Sequence, residues 1–435
     1  MHTLYVCYFG LREPLVQTQV LPYLRQLRGA GVQVSLLTFE PGGLESWPAS
    51  EPQQWTARLR EEGIQWRARR YHKRPTLPAT LFDIVAGGLT IVQWSWRERL
   101  DVVHARSYVA ALIARLAGPF TRSKLLFDIR GLMAEEYVDA GSWPAGGLLY
   151  RLTKAAERWL LRSADGFVVL TQRARELLFP AAVGANEDTT GESELQGRPI
   201  AVIPCCVDVA QFRLAEAAAR EQTRQALGVA GRRVVIYVGS LGGWYLTEET
   251  LALFEAARQQ DPATFALILT PRDVPQVERQ LRARGYAETD FRVLSVAPTE
   301  VARYLAAADI ALSLIKPCYS KQASSPTKIA EYLACGVPVI STAGIGDLDA
   351  LFARARVGVI LRGFTAADYL AALQALDEMR AAPELRAHCR QVAVTEFDLE
   401  RVGGRRYRRL YQRLLAPANA LQDEEASVCS TRATD

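Results

Sequence analysis

Residues 324–342, SSPTKIAEYLACGVPVIST, combine a helix start with side chains that bind anions. Ser325, followed by a proline, is a typical N-cap, which predicts that Lys328 is the third residue of the first helical turn. A cation is unfavourable there because the free N–H groups of a helix start carry about half a positive charge. A bound phosphate reverses that sign, and Glu331 lies on the same helix face before Gly336 ends the helix. The pattern predicts a site for an anion that carries hydroxyl groups.

The same residues also fit an ordinary capped helix whose lysine points into solvent. A second feature favours the anion site, because residues 239–244, GSLGGW, follow an apolar run that predicts a strand. Glycines after a strand allow the backbone, here with Ser240, to approach a phosphate or sugar closely. A simple tight turn explains this segment almost as well.

A second group of charged residues follows another predicted strand, in FDIRGLMAEE. Asp128, Arg130 and Glu136 would then lie at the carboxyl end of a parallel sheet, where ligands bind in open α/β folds. They predict a catalytic or acceptor-binding cluster, although a structural ion pair between Arg130 and one carboxylate is an equally simple interpretation. His104 also ends a strand, but a lone histidine there is more often a hydrogen-bonded core residue.

Several stretches together resemble family 4 glycosyltransferases, which have the GT-B fold. They are the 324–342 segment, YVCYFGLREPLVQTQVLPYLRQL near the start, DVVHARSY, FDIRGLMAEE, IPCCVD and YVGSLGGWY. The resemblance implies that Glu331 holds the donor ribose, and that Asp128, Arg130 and Glu136 serve catalysis. Together with the helix start and the glycine-rich turn, this predicts a donor site of six residues: Ser240, Ser324, Ser325, Thr327, Lys328 and Glu331.

The chain departs from that family at two positions. Many members carry an earlier glutamate that contacts the donor sugar, and here that position is Ala323. They also carry an Arg and Lys pair after the first strand of the second domain, where this chain has GSLGGWY. We expect Lys328, Ser324, Ser325 and Thr327 to carry the diphosphate with their backbone amides.

Length and patterning predict an α/β protein with two doubly wound Rossmann-like domains, which the GT-B resemblance places facing a central cleft. Strands alternate with amphipathic segments in both halves. We expect an acceptor-side domain over 1–204, a nucleotide-sugar domain over 205–397 and a terminal helix over 398–416 that packs back on the first domain. The polar stretch 183–198 should form a mobile loop, and 417–435 a disordered tail.

Composition excludes several classes of protein. The chain has 435 residues, 49% hydrophobic and 23% charged, which is typical of globular proteins. A net charge of +5 is too small to imply nucleic acid. The seven cysteines and four histidines show no metal-ligand spacing, so we expect no metal and no cofactor. The DxD at Asp347 and Asp349 is best explained by chance.

Location is predicted from three features. The odd, unpatterned cysteines and an N-terminal strand without a basic leader predict a cytoplasmic protein. Residues 77–96 are apolar but interrupted by polar residues and proline, so we expect a helix packed on a sheet rather than a membrane span. Residues 56–74 have a local charge of +5 with interleaved aromatics, which fits either peripheral contact with the inner face of a membrane or a solvated surface.

These features predict a glycosyltransferase, by resemblance a retaining one, that moves a sugar from a nucleotide-sugar donor to a glycan or lipid-linked acceptor. If the chemistry were inverting, Asp128 would be the natural general base. Two alternatives stay open. One is a sugar-nucleotide epimerase of the same fold, and the other is a catalytically silent subunit that partners another glycosyltransferase.

Overall fold

The chain forms two compact units in a computed structural model that describes residues 1–182 and 192–416. The first unit consists of Met1–Pro204 and the chain from Gly403 onward, and the second of Cys205–Val402. The sequence placed the return to the first unit at residue 398, earlier than Gly403. The difference arises because Asp398 and Leu399 pair with Val207 of the second unit; the Leu399 N–H donates to the Val207 carbonyl at 3.0 Å.

The first unit contains an eight-stranded sheet in the order β3-β2-β1-β4-β5-β6-β8-β7. Its strands are β1 (His2–Cys7), β2 (Gln33–Pro41), β3 (Ile64–Tyr71), β4 (Val102–Arg106), β5 (Lys124–Ile129), β6 (Gly166–Val169), β7 (Glu192–Leu195) and β8 (Arg198–Val202). All neighbouring pairs are parallel except β7 with β8. The central strands are continuous apolar runs because helices cover both faces of a parallel sheet.

The helices of the first unit lie mainly between these strands. They are α1 (Pro14–Gln19), α2 (Leu21–Gly29), α3 (Glu51–Glu61), α4 (Thr76–Arg97), α5 (Ser107–Ala117), α6 (Met133–Asp139), α7 (Leu148–Ser163) and α8 (Gln172–Leu178), with short 3-10 helices at Leu44–Ser46 and Gly118–Phe120. The predicted mobile loop at 183–198 was wrong at its end, because Glu192–Leu195 form β7 by pairing with β8. Residues 183–191 lie outside the described residues, as does the predicted tail at 417–435.

The second unit contains a parallel six-stranded sheet in the order β11-β10-β9-β12-β13-β14. Its strands are β9 (Val234–Val238), β10 (Phe265–Leu269), β11 (Phe291–Leu294), β12 (Ile310–Ser313), β13 (Val339–Thr342) and β14 (Gly358–Leu361). Its helices are α9 (Ala217–Leu227), α10 (Thr247–Gln260), α11 (Val274–Ala283), α12 (Val301–Ala307), α13 (Thr327–Ala334), α14 (Leu348–Ala355), α15 (Ala366–Arg380) and α16 (Leu385–Phe397), with a 3-10 helix at Tyr319–Ala323 and a π-helix at Leu399–Gly404. Two doubly wound α/β units confirm the predicted fold class.

A last helix, α17 (Arg405–Leu415), packs on the first unit although it follows the second in sequence. Its arginine-rich sequence hides an apolar stripe at helical spacing: Tyr407, Leu410, Tyr411 and Leu414 are buried. The arginines lie outside this stripe, and the Arg406 guanidinium donates to the Val202 carbonyl of β8 at 2.7 Å.

Helix α4 packs along the first sheet through small residues. A Cβ on Gly87 would come within 2.9 Å of Ile113 on α5 and 3.0 Å of Phe39 on β2, so glycine allows the close approach. Within the described parts of the chain, α4 is the one helix long and apolar enough to cross a membrane, and half of its 18-residue apolar window is buried inside the protein. It therefore lies on the sheet, as the sequence predicted.

Candidate functional site

The carboxyl ends of β9 and β12 form the topological switch point of the second sheet. The chain leaves β9 towards β10 and β11, and leaves β12 towards β13 and β14 on the other side. Ligands bind at such a point in doubly wound sheets, because the loops on either side diverge. The glycine-rich turn that starts at Gly239 follows β9, and α13 starts after β12.

Lys328 lies at this switch point and is buried rather than pointing into solvent. Only 6% of the residue is exposed. Its Nζ lies 4.4 Å from the ring centroid of Tyr237 and 4.2 Å from that of Tyr245, and donates to the Tyr237 hydroxyl at 3.4 Å. A Cβ on Gly239 would come 2.9 Å from the same Nζ, so the turn needs glycine to reach the amine. The solvent-pointing alternative for Lys328 is therefore wrong.

Glu331 and Lys328 are electrostatically coupled across one helical turn. Burial lowers the pKa of Lys328 to about 7, although Glu331 raises it. Burial raises the pKa of Glu331 to about 7, although Lys328 lowers it. Both groups therefore titrate near neutral pH, where a bound anion or bound hydroxyls would shift their protonation.

The start of α13 differs by one residue from the predicted cap. Pro326 is the N-cap, with φ −69° and ψ 119°, which makes Lys328 the second helical residue. The predicted cap, Ser325, instead accepts a hydrogen bond from the backbone N–H of Cys205 at 3.0 Å. A residue before proline avoids helical backbone angles, which explains why Ser325 stays outside the helix.

The other predicted donor-binding residues surround this helix start. Thr327 is the first residue of α13 and is half-buried, and Ser324 is half-buried at the end of the preceding 3-10 helix. The Ser324 N–H donates to the Lys321 carbonyl at 3.1 Å, so this amide already has a partner. Ser240 is exposed in the glycine-rich turn, and its carbonyl accepts the Tyr237 hydroxyl at 2.5 Å.

The first unit contains a buried carboxylate cluster, which we define as Tyr5, His104, Arg106, Asp128 and Arg130. Asp128 has no exposed surface; its carboxylate lies 3.4 Å from Arg130 and 3.7 Å from Arg106. Burial alone would raise the pKa of Asp128, but Arg130, the His104 ring at 3.6 Å and Arg106 outweigh it and hold that pKa well below its usual range. A general base must reach the proton that it removes and must bind that proton well. A fully buried carboxylate with a depressed pKa meets neither requirement.

Helix α17 closes over this cluster. The Tyr407 hydroxyl donates to Asp128 at 3.4 Å, and the Tyr411 hydroxyl lies 2.9 Å from Nδ1 of His104 and 3.0 Å from the Thr3 hydroxyl. The contacts favour the structural interpretations of Asp128 and His104 that the sequence left open. These contacts argue against a catalytic role for Asp128 and His104, and that role stays a prediction.

Glu136 occupies a different position from the cluster. It lies in the first turn of α6, half-buried, and a Cβ on Gly131 would come 2.9 Å from its carboxylate. Its carboxylate therefore folds over the backbone of the loop that follows Arg130. The structure brings Asp128 and Arg130 into contact and places Glu136 above the same loop.

Sequence reasoning missed two sets of residues. The first set is Tyr237 and Tyr245, whose rings enclose the amine of Lys328. The sequence pattern indicates only an apolar strand at Tyr237 and a turn before Tyr245. The second set surrounds Asp83 on α4. Its carboxylate is 1% exposed, accepts a hydrogen bond from the Tyr8 hydroxyl at 2.7 Å and lies 2.6 Å from Nδ1 of His72. A lone aspartate in an otherwise apolar helix was the signal for that buried group.

The basic stretch 56–74 forms parts of α3 and of the edge strand β3. Several of its arginines hold the fold together. The Arg67 guanidinium lies 4.3 Å from the ring of Trp94, and Arg69 donates to the Thr90 hydroxyl at 2.9 Å. Membrane contact through this stretch stays a prediction.

No group of three or more potential metal ligands occurs in residues 1–182 and 192–416. None of the six described cysteines forms a disulfide, and five of them are buried.

Comparison with protein families gives two matches that together cover most of the chain. Residues 16–190 match the model described as Glycosyl transferase 4-like domain, and residues 232–378 match the model described as Glycosyl transferases group 1. A search of curated protein sequences finds no match.

Solved structures are similar over both units. Anabaena Alr3699/HepE in complex with UDP and glucose is 16% identical with a TM-score of 0.65, over 95% of this chain and 100% of that one. A glycosyltransferase from Rickettsia africae is 15% identical with a TM-score of 0.70, over 96% and 99%. WaaG, a glycosyltransferase involved in lipopolysaccharide biosynthesis, is 16% identical with a TM-score of 0.64, over 95% and 100%. The likeness shows the GT-B fold.

Proposed function

Because this chain is a glycosyltransferase of GT-B type, we propose that it transfers a sugar from a nucleotide-sugar donor to a glycan or lipid-linked acceptor, in the synthesis of a cell-surface polysaccharide or glycoconjugate. The observation that carries the donor assignment is Lys328, buried against two tyrosine rings at the switch point of the second sheet. Structural neighbours that bind UDP and UDP-glucose support the donor class.

The charge at this site fits a diphosphate leaving group. In the reaction, the bond between the anomeric carbon and the diphosphate oxygen breaks with its electron pair on that oxygen, and the acceptor hydroxyl oxygen forms the new glycosidic bond while its proton passes to the departing diphosphate. Negative charge develops on the departing diphosphate, so a lysine and helix N–H groups directed at it lower the barrier. Lys328 and the first turn of α13 supply both.

We assign the nucleoside ribose to Glu331 and the acceptor to the first unit, with retention of anomeric configuration as the family resemblance implies. A carboxylate that accepts two ribose hydroxyls gains charge-assisted hydrogen bonds, which are stronger than neutral ones. Ala323 is 2% exposed, so the missing glutamate is replaced by a packed side chain. The sugar must then be held by other groups.

A donor panel tests this proposal. The full chain is titrated calorimetrically with UDP-glucose and other nucleotide sugars, and then incubated with the labelled donor that binds and a lipid extract. We expect one donor class to bind and label to move into a glycan or lipid product. A chain that ignores every nucleotide sugar would be a silent subunit, and isomerised donor without an acceptor would indicate the epimerase.

The ribose assignment has a sharper test. Wild-type protein should discriminate against 2′-deoxy and 3′-deoxy analogues of the preferred nucleotide, and Glu331→Gln should discriminate less. Glu378→Gln, which changes an exposed glutamate on α15 of the same unit, is the matched control. Equal affinity of all nucleotides for wild type and for Glu331→Gln would remove Glu331 from the donor site.

A further inference from the structure

The outer face of α4 is apolar from Leu77 to Leu89 and continues through Gln93 to Trp96. Residues four apart repeat on that face, which is the spacing of one helical stripe. The exposed apolar side chains are Leu77 at 52%, Leu81 at 54%, Phe82 at 56%, Val85 at 59%, Leu89 at 59% and Trp96 at 77%. The sole acidic residue of this helix, Asp83, is turned inward to His72 and Tyr8. The exposed stripe therefore carries no negative charge.

Helix α7 presents a face of alternating apolar and cationic residues. The exposed side chains on it are Leu148, Leu149, Arg151, Leu152, Arg158, Trp159 and Arg162. The sole acidic residue of α7, Glu157, is 3% exposed and accepts hydrogen bonds from Tyr108 and Lys154 inside the protein. This face therefore combines apolar area with unopposed positive charge.

The two helices belong to one layer of the first unit, because α5 packs against both of them. The Arg115 guanidinium of α5 lies 5.1 Å from the ring of Trp159, which joins α5 to α7. More cations flank the ends of α4: Lys73 and Arg74 precede it, and Arg97 is its last residue, all exposed. We call the outer surface of α4 and α7 the α4–α7 face.

We infer that the α4–α7 face lies on the surface of an anionic lipid bilayer. Apolar side chains ringed by arginines, with tryptophans among them, are the composition of helices that lie in the membrane interface. At 22 residues, α4 is about 33 Å long, and one of its faces packs on the sheet of the first unit. It therefore lies in the plane of the membrane interface and does not span the bilayer. A partner protein would have to supply carboxylates opposite these arginines. An anionic bilayer supplies phosphate groups to them over its whole surface.

This inference stands independently of the transferase proposal and places the membrane contact away from residues 56–74. The test uses the full chain and co-sedimentation with vesicles of phosphatidylcholine alone or with one third phosphatidylglycerol. We expect binding to the anionic vesicles that weakens with added salt, because charged contacts with lipid headgroups are screened.

Two pairs of exposed substitutions separate the apolar and cationic contributions. Leu81→Ser with Val85→Ser should remove most of the bound fraction, and Arg151→Gln with Arg158→Gln should weaken partition about thirtyfold, about fivefold for each cation near an anionic surface. The matched control is Arg60→Gln with Arg279→Gln, which removes the same charge from the exposed faces of α3 and α11. It should bind like wild type.

Three results would overturn the inference. They are wild-type protein that stays in the supernatant with anionic vesicles, control protein that weakens as much as the α7 pair, and an α4 pair that binds normally. If light scattering instead shows a dimer that the α4 pair dissociates, without vesicle binding, the face is covered by a second copy of the chain. Circular dichroism of each variant checks that the fold is intact.

Discussion

Donor binding should exchange protons with solvent, and the direction of exchange should reverse between pH 6 and pH 8. The free protein has a buried amine at Lys328 and a half-buried carboxyl group at Glu331, and the pKa values of both lie at about 7. A diphosphate beside Lys328 favours its charged form and raises its pKa. Ribose hydroxyls that donate to Glu331 favour the carboxylate and lower its pKa. The shift at Lys328 makes the protein take up protons when the donor binds, and the shift at Glu331 makes it release them.

The expected size follows from those values. At pH 8 the free amine is about one-tenth protonated and becomes almost fully protonated in the complex, while the carboxyl group loses its remaining tenth of a proton, so binding takes up about 0.8 proton net. At pH 6 the free carboxyl group is about nine-tenths protonated and ionises in the complex, while the amine gains its last tenth of a proton, so binding releases about 0.8 proton net. A nucleotide sugar is the right probe, since its diphosphate is esterified at both ends and does not itself titrate in this range.

Calorimetric titration in two buffers of different ionisation enthalpy measures the protons exchanged at each pH. Lys328→Met should abolish the uptake at pH 8 and keep the release at pH 6, whereas Glu331→Gln should do the reverse. Arg279→Met, at an exposed position on α11, should change neither. A wild-type complex that forms tightly without proton exchange at either pH would refute the assignment of both residues.

Three further predictions concern stability. Lys328→Met should raise the thermal midpoint, because the depressed pKa makes the native amine destabilising at and below pH 7; the gain should shrink as pH rises towards 10, as thermal scans across that range will show. Asp128→Asn should cost about 3 to 5 kcal/mol in urea unfolding, since it removes the buried negative charge that Arg106 and Arg130 contact, and the wild type should lose this contribution only as pH falls below about 4. Tyr411→Phe should cost about 1 to 3 kcal/mol, the penalty for leaving its buried partners without their hydrogen bonds, whereas an unchanged urea midpoint would show that α17 is held by packing alone.

The fold could be predicted because the strands of parallel sheets are buried on both faces and appear as apolar runs. The segment VVIYV of β9 is one such run, and its four residues Val234 to Tyr237 are fully buried. Strand β7 could not be found this way. Its sequence, ESEL, has one apolar residue in four, and it is a strand because it pairs antiparallel with β8.

The donor site was predictable in its residues but not in its environment. The spacing of Lys328 and Glu331 placed both on one helix face, yet no local pattern indicates that the amine is covered by Tyr237 and Tyr245. Those tyrosines come from β9 and the turn after it, some ninety residues earlier in the chain. Burial by distant segments, and therefore the pKa shifts, depends on tertiary packing.

The buried carboxylate cluster shows why the donor is better assigned to the second unit than to the first. Both sheets are doubly wound and each has a switch point, between β1 and β4 in one and between β9 and β12 in the other. In the first unit, the carboxylate of Asp128 already contacts arginines and the Tyr407 hydroxyl, and Nδ1 of His104 pairs with the Tyr411 hydroxyl of α17. In the second, the amine of Lys328 meets only aromatic rings, a tyrosine hydroxyl and a glycine turn among its described contacts. A buried cation without a carboxylate in contact is stabilised by an incoming anion, whereas arginines that already contact a buried carboxylate gain less from one. The electrostatics thus favour a diphosphate at α13.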